Sequence, residues 1–179
     1  MIYLLVYDIL VFDILTVIYV RRPTMNDILV VYYSLFQNTK NFAIEIAKHT
    51  GGTLRELIPE NNYSFDYNTA AKEVRNQIAR GFCPRLISGN EAIHDYQTIF
   101  IGTPNWFKTV APPVMSFLRQ QDLSGKKVIP FCTHGGGGFS NIEKDIAKEC
   151  GNSVLLPGLA VNGMPVAEDV KDWLNSLEL

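Results

Sequence analysis

The spacing of apolar positions changes period repeatedly from residue 28 to the carboxyl terminus. Short continuous runs rich in β-branched residues, such as ILVVYY at 28–33, are typical of strands buried on both faces of a sheet. Between these runs, apolar residues recur at helical spacing. The predicted strands are 28–33, 53–58, 97–102, 126–133 and 153–161. The predicted helices are 38–50, 69–80, 111–120, 140–150 and 166–177.

Local signals indicate where several of these helices begin and end. Asn38 can cap the first helix, and Gly51 follows its last turn, where a positive φ is favoured. Ser140 and Glu143 have the spacing of a capping box for the fourth helix. Five strands alternating with five helices predict one α/β domain, in which right-handed crossovers build a three-layer, doubly wound parallel sheet.

Ligands of such sheets bind beyond the carboxyl ends of the strands, so the loops at those ends carry the candidate chemistry. The loop after the first strand leads directly into a helix N-terminus and offers hydroxyls, an amide and consecutive backbone N–H groups. A phosphate monoester would fit there, because a helix N-terminus favours an anion. Alternatively, the polar side chains only cap the turn and the helix. The candidate residues are Ser34, Phe36, Gln37, Asn38 and Thr39.

The loop after the third predicted strand contains two adjacent aromatic residues, Trp106 and Phe107. Large aromatic side chains at a strand end indicate a flat ligand, because an aromatic ring stacks on a planar conjugated system. The alternative is that both rings close the edge of the core. The candidate residues of this loop are Thr103, Pro104, Asn105, Trp106 and Phe107.

The loop after the fourth predicted strand contains four successive glycines. Glycine loses more backbone freedom on folding than any other residue, so this run needs a reason. Either the glycines form a tip without a role, or they let backbone N–H groups approach a ligand closely. The candidate residues are Thr133, His134, Gly135, Gly136, Gly137, Gly138 and Phe139.

With these loops, residues 28–179 resemble the flavodoxin-like superfamily, and more closely its small flavodoxin-type proteins with IFIGTPNWF and PFCTHGGGGFSN segments. The resemblance implies the strand order 2-1-3-4-5, with FMN held non-covalently at the carboxyl ends of the strands. It implies a function in electron transfer, or as an NAD(P)H-dependent reductase of quinone-like acceptors. The expected partners are a redox protein or a small electron acceptor, with NAD(P)H as a candidate donor.

The resemblance also assigns a role to each loop. It implies that Ser34, Asn38 and Thr39 donate hydrogen bonds to the phosphate of FMN. It implies that residues 103–107 flank the flavin ring and that residues 133–139 cover its pyrimidine edge. In this arrangement His134 would lie beside the flavin and give it a pH-dependent charge, unless it is simply a solvent-exposed histidine. The sequence assigns no catalytic residue.

The first loop departs from the pattern of the family. Phe36 stands where a hydroxyl is expected, and Gln37 stands where glycine is usual. One missing phosphate hydrogen bond corresponds to about ten- to a hundredfold in affinity, so we expect weaker FMN binding than a consensus loop gives. The alternative function is therefore a flavodoxin-fold binding module that has lost tight FMN binding.

Composition narrows the function classes further. The chain has 179 residues and a formal charge of -2, which predict a single domain without a general attraction to nucleic acid. The three cysteines form no C-x-x-C motif, so neither a disulfide framework nor a metal site is expected. Free cysteines favour a reducing, cytoplasmic compartment. The oligomeric state stays open.

Residues 1–24 lie outside the resemblance and form an apolar N-terminal extension, and the flavodoxin-like domain comprises residues 25–179. Residues 2–20 are almost unbroken in their apolar character, which is typical of a membrane span. Asp8 and Asp13 oppose insertion, so the predicted transfer energy is near zero and membrane contact is not expected. Three interpretations remain open: an over-long reading of the frame, a weak anchor, and an added element packed on the domain.

Overall fold

The computed structural model describes residues 27–177 and residue 179, so the interpretations of the N-terminal extension lie outside the described residues. The strands are β1 Ile28–Tyr32, β2 Thr53–Glu56, β3 Ile58–Pro59, β4 Leu86–Ser88, β5 Thr98–Pro104, β6 Lys127–His134, β7 Val154–Leu155 and β8 Leu159–Asn162. The helices are α1 Asn38–Thr50, α2 Tyr67–Ala79, α3 Pro112–Gln120, α4 Ile142–Glu149 and α5 Ala167–Ser176. Within this part of the chain, no helix is both long and apolar enough to cross a bilayer.

The main sheet is parallel, with strands in the order β2-β1-β5-β6 followed by an edge position that β7 and β8 share. Strand β7 pairs with the beginning of β6, and β8 pairs with its end. The two short strands are therefore parts of one edge, interrupted at residues 156–158. The predicted five-position parallel sheet with order 2-1-3-4-5 is confirmed. Strands β3 and β4 form a separate antiparallel pair.

Each face of the sheet is covered by its own helices, as right-handed crossovers require. Along β1, Leu29 and Val31 belong to the core cluster that also contains the buried residues of α2, α3 and α4. The alternate residues Val30 and Tyr32 belong to the cluster formed with α1 and α5. Side chains of successive strand residues point to opposite faces, and both faces are apolar, so the strands appear as continuous hydrophobic runs in the sequence.

Three local predictions were wrong. The strand predicted over 53–58 ends at Glu56, because Ile58 and Pro59 leave the main sheet and pair antiparallel with β4. Asn38 is the first residue of α1 and not its cap. The predicted capping box does not form, since α4 begins at residue 142 and the hydroxyl of Ser140 donates to the carbonyl of Gly137 at 2.8 Å.

Candidate functional site

The loops that follow β1, β5 and β6 meet at the carboxyl edge of the sheet. Thr39, in the first turn of α1, and Thr133, near the end of β6, lie with their hydroxyl oxygens 2.8 Å apart. The N–H of Asn105, directly after β5, donates to the carbonyl of Thr133 at 2.8 Å. The structure therefore brings together the three segments that the sequence singled out.

The first loop, residues 34–38, leaves its hydrogen-bond donors open. Within the described part of the chain, no group accepts from the backbone N–H groups of residues 34–40, and the side chains of Ser34 and Asn38 make no hydrogen bond. Gln37 precedes α1 in a left-handed conformation, with φ of 67°, and does not cap the helix with its side chain. Unpaired N–H groups at a helix N-terminus form an anion-binding cradle.

The Thr39–Thr133 pair closes the floor of this cradle. Both hydroxyls are buried, with 1% and 5% of the residue surface exposed. One hydroxyl donates to the other, so one hydroxyl hydrogen of the pair remains without an acceptor among the described residues. That hydrogen is available to a ligand oxygen above the pair.

No free cation lies in the first loop itself. Lys40, in the first turn of α1, pairs with Glu56 at 3.1 Å, and the same carboxylate accepts from the hydroxyl of Tyr32 at 3.3 Å. Burial, helped by Glu56, raises the pKa of Tyr32, so this phenol stays protonated. An anion in the cradle would thus be met by N–H groups, hydroxyls and the helix dipole.

In the second loop, Phe107 is exposed and Trp106 packs toward the core. Trp106 packs edge to face on Tyr33 at 5.4 Å and on Tyr63 at 5.2 Å between ring centroids. Its ring therefore closes the edge of the core, whereas 42% of Phe107 is exposed. Burial raises the pKa of both tyrosines, so the cluster is uncharged.

A tight turn holds Phe107 in this position. Trp106 and Thr109 pair across the turn, and the two residues between them, Phe107 and Lys108, have φ of 55° and 69°. Two positive φ values define the type I′ turn, which normally takes glycine or asparagine. A left-handed backbone at a residue with a side chain is costly and persists only where the surroundings enforce it.

Asn105 connects the second loop to the glycine loop, residues 134–140. Its side-chain amide donates to the carbonyl of Gly138 at 2.7 Å and to the hydroxyl of Ser140 at 3.2 Å. Its side-chain oxygen accepts from the N–H of Lys108 at 3.0 Å. A Cβ on Gly137 would lie 3.2 Å from this amide nitrogen, so the glycine permits the close approach. We call the Asn105-linked segments 104–109 and 134–140 the double loop.

The remaining predicted residues take different positions. The hydroxyl of Thr103 is fully buried, donates to the carbonyl of Pro104 and accepts from the N–H of Ala111, so it supports the loop from below. Phe139 packs against the core. His134 lies at the end of β6, and its Nδ1 accepts from the N–H of Gly136 at 2.9 Å. Exposed positions in the glycine run are residues 135–137.

Helix α2 forms a wall of the site that the sequence analysis did not identify. A cavity of about 160 Å³ lies between this helix and residues of the first two loops, among them Phe36, Trp106 and Phe107. Arg75 of α2 lies over the ring of Phe107, with its guanidinium carbon 4.8 Å from the centroid. The rule that ligands bind at strand ends does not point to the side of a helix. The sequence signal that could have identified α2 was the pair of aromatic residues on either side of its N-cap, Phe65 and Tyr67.

Comparison with known proteins agrees with this geometry. A family model described as flavodoxin matches residues 27–177. A candidate flavoprotein from Bacteroides uniformis is 29% identical, with a TM-score of 0.76 over 83% of this chain and 97% of that chain. Another from Bacteroides eggerthii is 25% identical, with a TM-score of 0.76 over 85% of this chain and 98% of that chain.

A more distant structure was determined with a ligand. The flavoprotein from Lactobacillus acidophilus, in complex with FMN, is 21% identical, with a TM-score of 0.64 over 74% of this chain and 91% of that chain. At this identity the similarity shows the fold alone. No curated protein matches the chain.

Proposed function

This chain belongs to the flavodoxin family, and from that membership we propose that it is an FMN-binding flavoprotein that transfers electrons. More specifically, we propose an NAD(P)H-dependent reductase of quinone-like acceptors. FMN as the cofactor is supported by the family match over residues 27–177 and by the similar fold that was determined with FMN. The finer assignment rests on the nearly balanced charge of the whole chain.

The observation that carries the proposal is the set of open donors in the first loop. The N–H groups of residues 34–40 have no acceptor in the described part of the chain, and they surround the N-terminus of α1. A phosphate monoester supplies the acceptor oxygens that these donors lack, and its charge suits the helix dipole. The residues present therefore fit the phosphate end of FMN.

The residues of the double loop suit the ring end. Phe107 of this loop and Phe36 of the neighbouring first loop expose 42% and 46% of their surfaces and offer apolar contact to a flat ring. The N–H groups of Gly135 and Gly137, at exposed positions of the glycine loop, would stabilise negative charge at the pyrimidine edge. Bound FMN would supply electron transfer itself, and the protein would orient the ring and set its electrostatic surroundings.

The overall charge supports a reductase more than a protein-to-protein carrier. An electron carrier that docks on partner proteins benefits from a strongly charged face, which steers its encounters. This chain has 16 Lys and Arg residues and 18 Asp and Glu residues, so its nearly balanced charge does not favour a strongly charged face. Small electron acceptors do not need one.

The first experiment is an absorbance spectrum of the full chain after FMN is added and unbound FMN is removed. Retained bands near ~375 and ~450 nm, the usual signature of oxidised flavin, are expected. A colourless protein with a folded circular dichroism spectrum would contradict the proposal.

A second experiment separates the reductase from the carrier. Steady oxidation of NADPH or NADH by the FMN-loaded protein, with a soluble quinone as acceptor, is expected for the reductase. A protein that retains FMN and oxidises neither nucleotide, but is reduced by a redox protein, would be a carrier.

One observation favours a second candidate function, a flavodoxin-fold binding module without tightly held FMN. Phe36 exposes an apolar ring in the first loop, and Gln37 adopts a left-handed backbone that favours glycine. Both features lower the expected affinity of the loop for phosphate relative to a loop of glycine and hydroxyl residues. The colourless, folded outcome of the first experiment would make this function the better one.

We also propose a reducing compartment, consistent with the cytoplasm. The cysteines at positions 83, 132 and 150 are free, and burial raises the pKa of the Cys132 thiol to about 12. A thiol of this kind is a buried hydrophobe that neither ionises nor pairs.

A further inference from the structure

A groove on the outer side of α2 adjoins the candidate FMN site. Its volume is about 450 Å³, within the range of small-molecule sites. Residues of α2 form one wall and Phe107 forms the other. The groove shares Tyr67, Ala71 and Phe107 with the smaller cavity beside Phe36 and Trp106, so the two lie side by side.

The groove is lined by cations that the protein does not neutralise. Lys72 and Arg75 lie one helical turn apart on the exposed side of α2. Within the described residues neither forms an ion pair, and the guanidinium of Arg75 lies over the ring of Phe107. Cations paired with carboxylates elsewhere on the described surface are Lys40, Lys48, Arg55, Arg85, Arg119 and Lys148.

The remaining lining suits an anionic ligand with polar edges. Asn68 and Asn76 place side-chain amides at the two ends of the same helix face, and Ala71 and Ala79 leave the floor of the groove open. The nearest carboxylate at the start of α2 is Asp66, which is held as the helix cap by hydrogen bonds from Thr69. These bonds lower the pKa of Asp66, so it stays charged but is directed to the helix terminus.

The position of the groove and the chemistry of its lining indicate a ligand with two parts. One part is anionic and lies between Lys72 and Arg75, which can form charge-assisted hydrogen bonds to it. The other part is flat and reaches past Phe107 toward the cavity beside Trp106, at the ring end of the candidate FMN site. A reduced pyridine nucleotide, the electron donor of the proposed reductase, has both parts.

We propose that the α2 groove binds the phosphate-bearing portion of a reduced pyridine nucleotide through Arg75 and Lys72. This assignment rests on the proposed reductase function and adds the place where its electron donor is recognised. Phe107 then serves two ligands: one side of its loop faces the candidate FMN site, and its ring supports Arg75 from the groove side.

The test is anaerobic reduction of the FMN-loaded full chain by NADPH and NADH, followed as bleaching near ~450 nm over a range of nucleotide concentrations. For Arg75→Gln and Lys72→Gln we expect the half-saturating concentration of nucleotide to rise about tenfold, because a charged hydrogen bond is lost. The limiting rate of bleaching should be unchanged. Lys171→Gln, which removes the same charge from α5 on the other face of the sheet, should leave both values unchanged.

Each other outcome has a distinct meaning. An unchanged half-saturating concentration in both groove variants would overturn the proposal. Retained FMN without bleaching by either nucleotide would also overturn it, while the FMN site itself would stand. If the variants weaken only the use of an anionic quinone as acceptor, the groove binds the oxidant, and the nucleotide assignment is wrong. A protein that retains no FMN would refute the proposed function instead.

Discussion

The first loop and the double loop lie at the same edge of the sheet, yet they satisfy their hydrogen bonds in opposite ways. The first loop leaves the N–H groups of residues 34–40 without acceptors in the described chain. The double loop is closed on itself, since the side chain of Asn105 alone bonds to Gly138, Ser140 and Lys108. Both loops hold residues in left-handed conformations, but only the second fixes them by internal contacts.

This difference indicates how the two ends of a flavin nucleotide would be recognised. Open donors are costly when they are kept from water, and a bound anion removes that cost. Such a loop is completed by its ligand. A self-bonded loop is already in its final geometry, so it presents a ready surface to the ligand and gains little stability from binding. We therefore expect the phosphate to supply most of the affinity and the ring contacts to set the redox properties.

The strongest test of this division compares FMN with riboflavin, which has the same ring and no phosphate. If the first loop supplies the affinity, riboflavin should bind at least about 1000-fold more weakly, because three or more charge-assisted hydrogen bonds are lost. Quenching of flavin fluorescence during titration measures both dissociation constants. Dissociation constants within tenfold of each other would show that the ring contacts, and not the phosphate contacts of the first loop, supply most of the affinity.

The next largest effect is expected on the stability of the double loop. Asn105→Ala removes three hydrogen bonds, to Gly138, Ser140 and Lys108, and should lower the free energy of unfolding by about 2–3 kcal/mol. Urea unfolding of the protein without FMN measures the change. Asn61→Ala, at an exposed position without such bonds, is the control and should stay within about 0.5 kcal/mol. Equal effects in the two variants would mean that the double loop is not held by Asn105.

These two loops also show what the sequence could and could not reveal. The parallel sheet, its order and the three loops follow from apolar runs and from the rule that ligands bind at strand ends. The inward packing of Trp106 on Tyr33 and Tyr63 depends on residues 30 or more positions away, which periodicity cannot place. The capping box failed for a different, local reason, because Ser140 donates to the carbonyl of Gly137 and so closes the glycine loop instead.

The third prediction concerns whether side chains or backbone groups of the first loop bind the phosphate. Phe36→Thr introduces a hydroxyl at the position where the family pattern has one, and should tighten FMN binding about tenfold. Phe65→Thr, at an even more exposed phenylalanine outside the loop, should leave the dissociation constant unchanged. Isothermal titration with FMN measures both. If Phe36→Thr binds FMN no better than the parent chain, the backbone N–H groups carry the phosphate without help from this side chain.

A smaller effect is expected at His134, the histidine of the double loop. Its Nδ1 accepts from the N–H of Gly136, which requires an unprotonated Nδ1, so protonation adds a positive charge and also releases this bond. A positive charge favours the reduced ring, so protonation of the imidazole should add an extra rise to the midpoint potential on acidification. An interaction of about 1 kcal/mol corresponds to about 20 mV for two electrons.

His134→Ala should remove this additional rise. Redox titrations of the FMN-loaded protein at a series of pH values give the potentials. His94→Ala, in the loop before β5 at the other end of the strand, is the matched control and should keep the rise. Superimposable curves for the parent chain and His134→Ala would show that the double loop sets the potential through its backbone alone.

The smallest expected effect concerns the left-handed residue of the first loop. Gln37 has φ of 67° and no contact of its side chain that enforces this conformation, whereas Phe107 and Lys108 are held in theirs by the Asn105 bond. Gln37→Gly should therefore relieve strain and raise the free energy of unfolding by about 0.5–1 kcal/mol. Gln120→Gly, in the helical backbone at the end of α3, should lower it by a similar amount. Urea unfolding of both variants measures the difference, and a loss of stability in Gln37→Gly would mean that the first loop is fixed before any ligand binds.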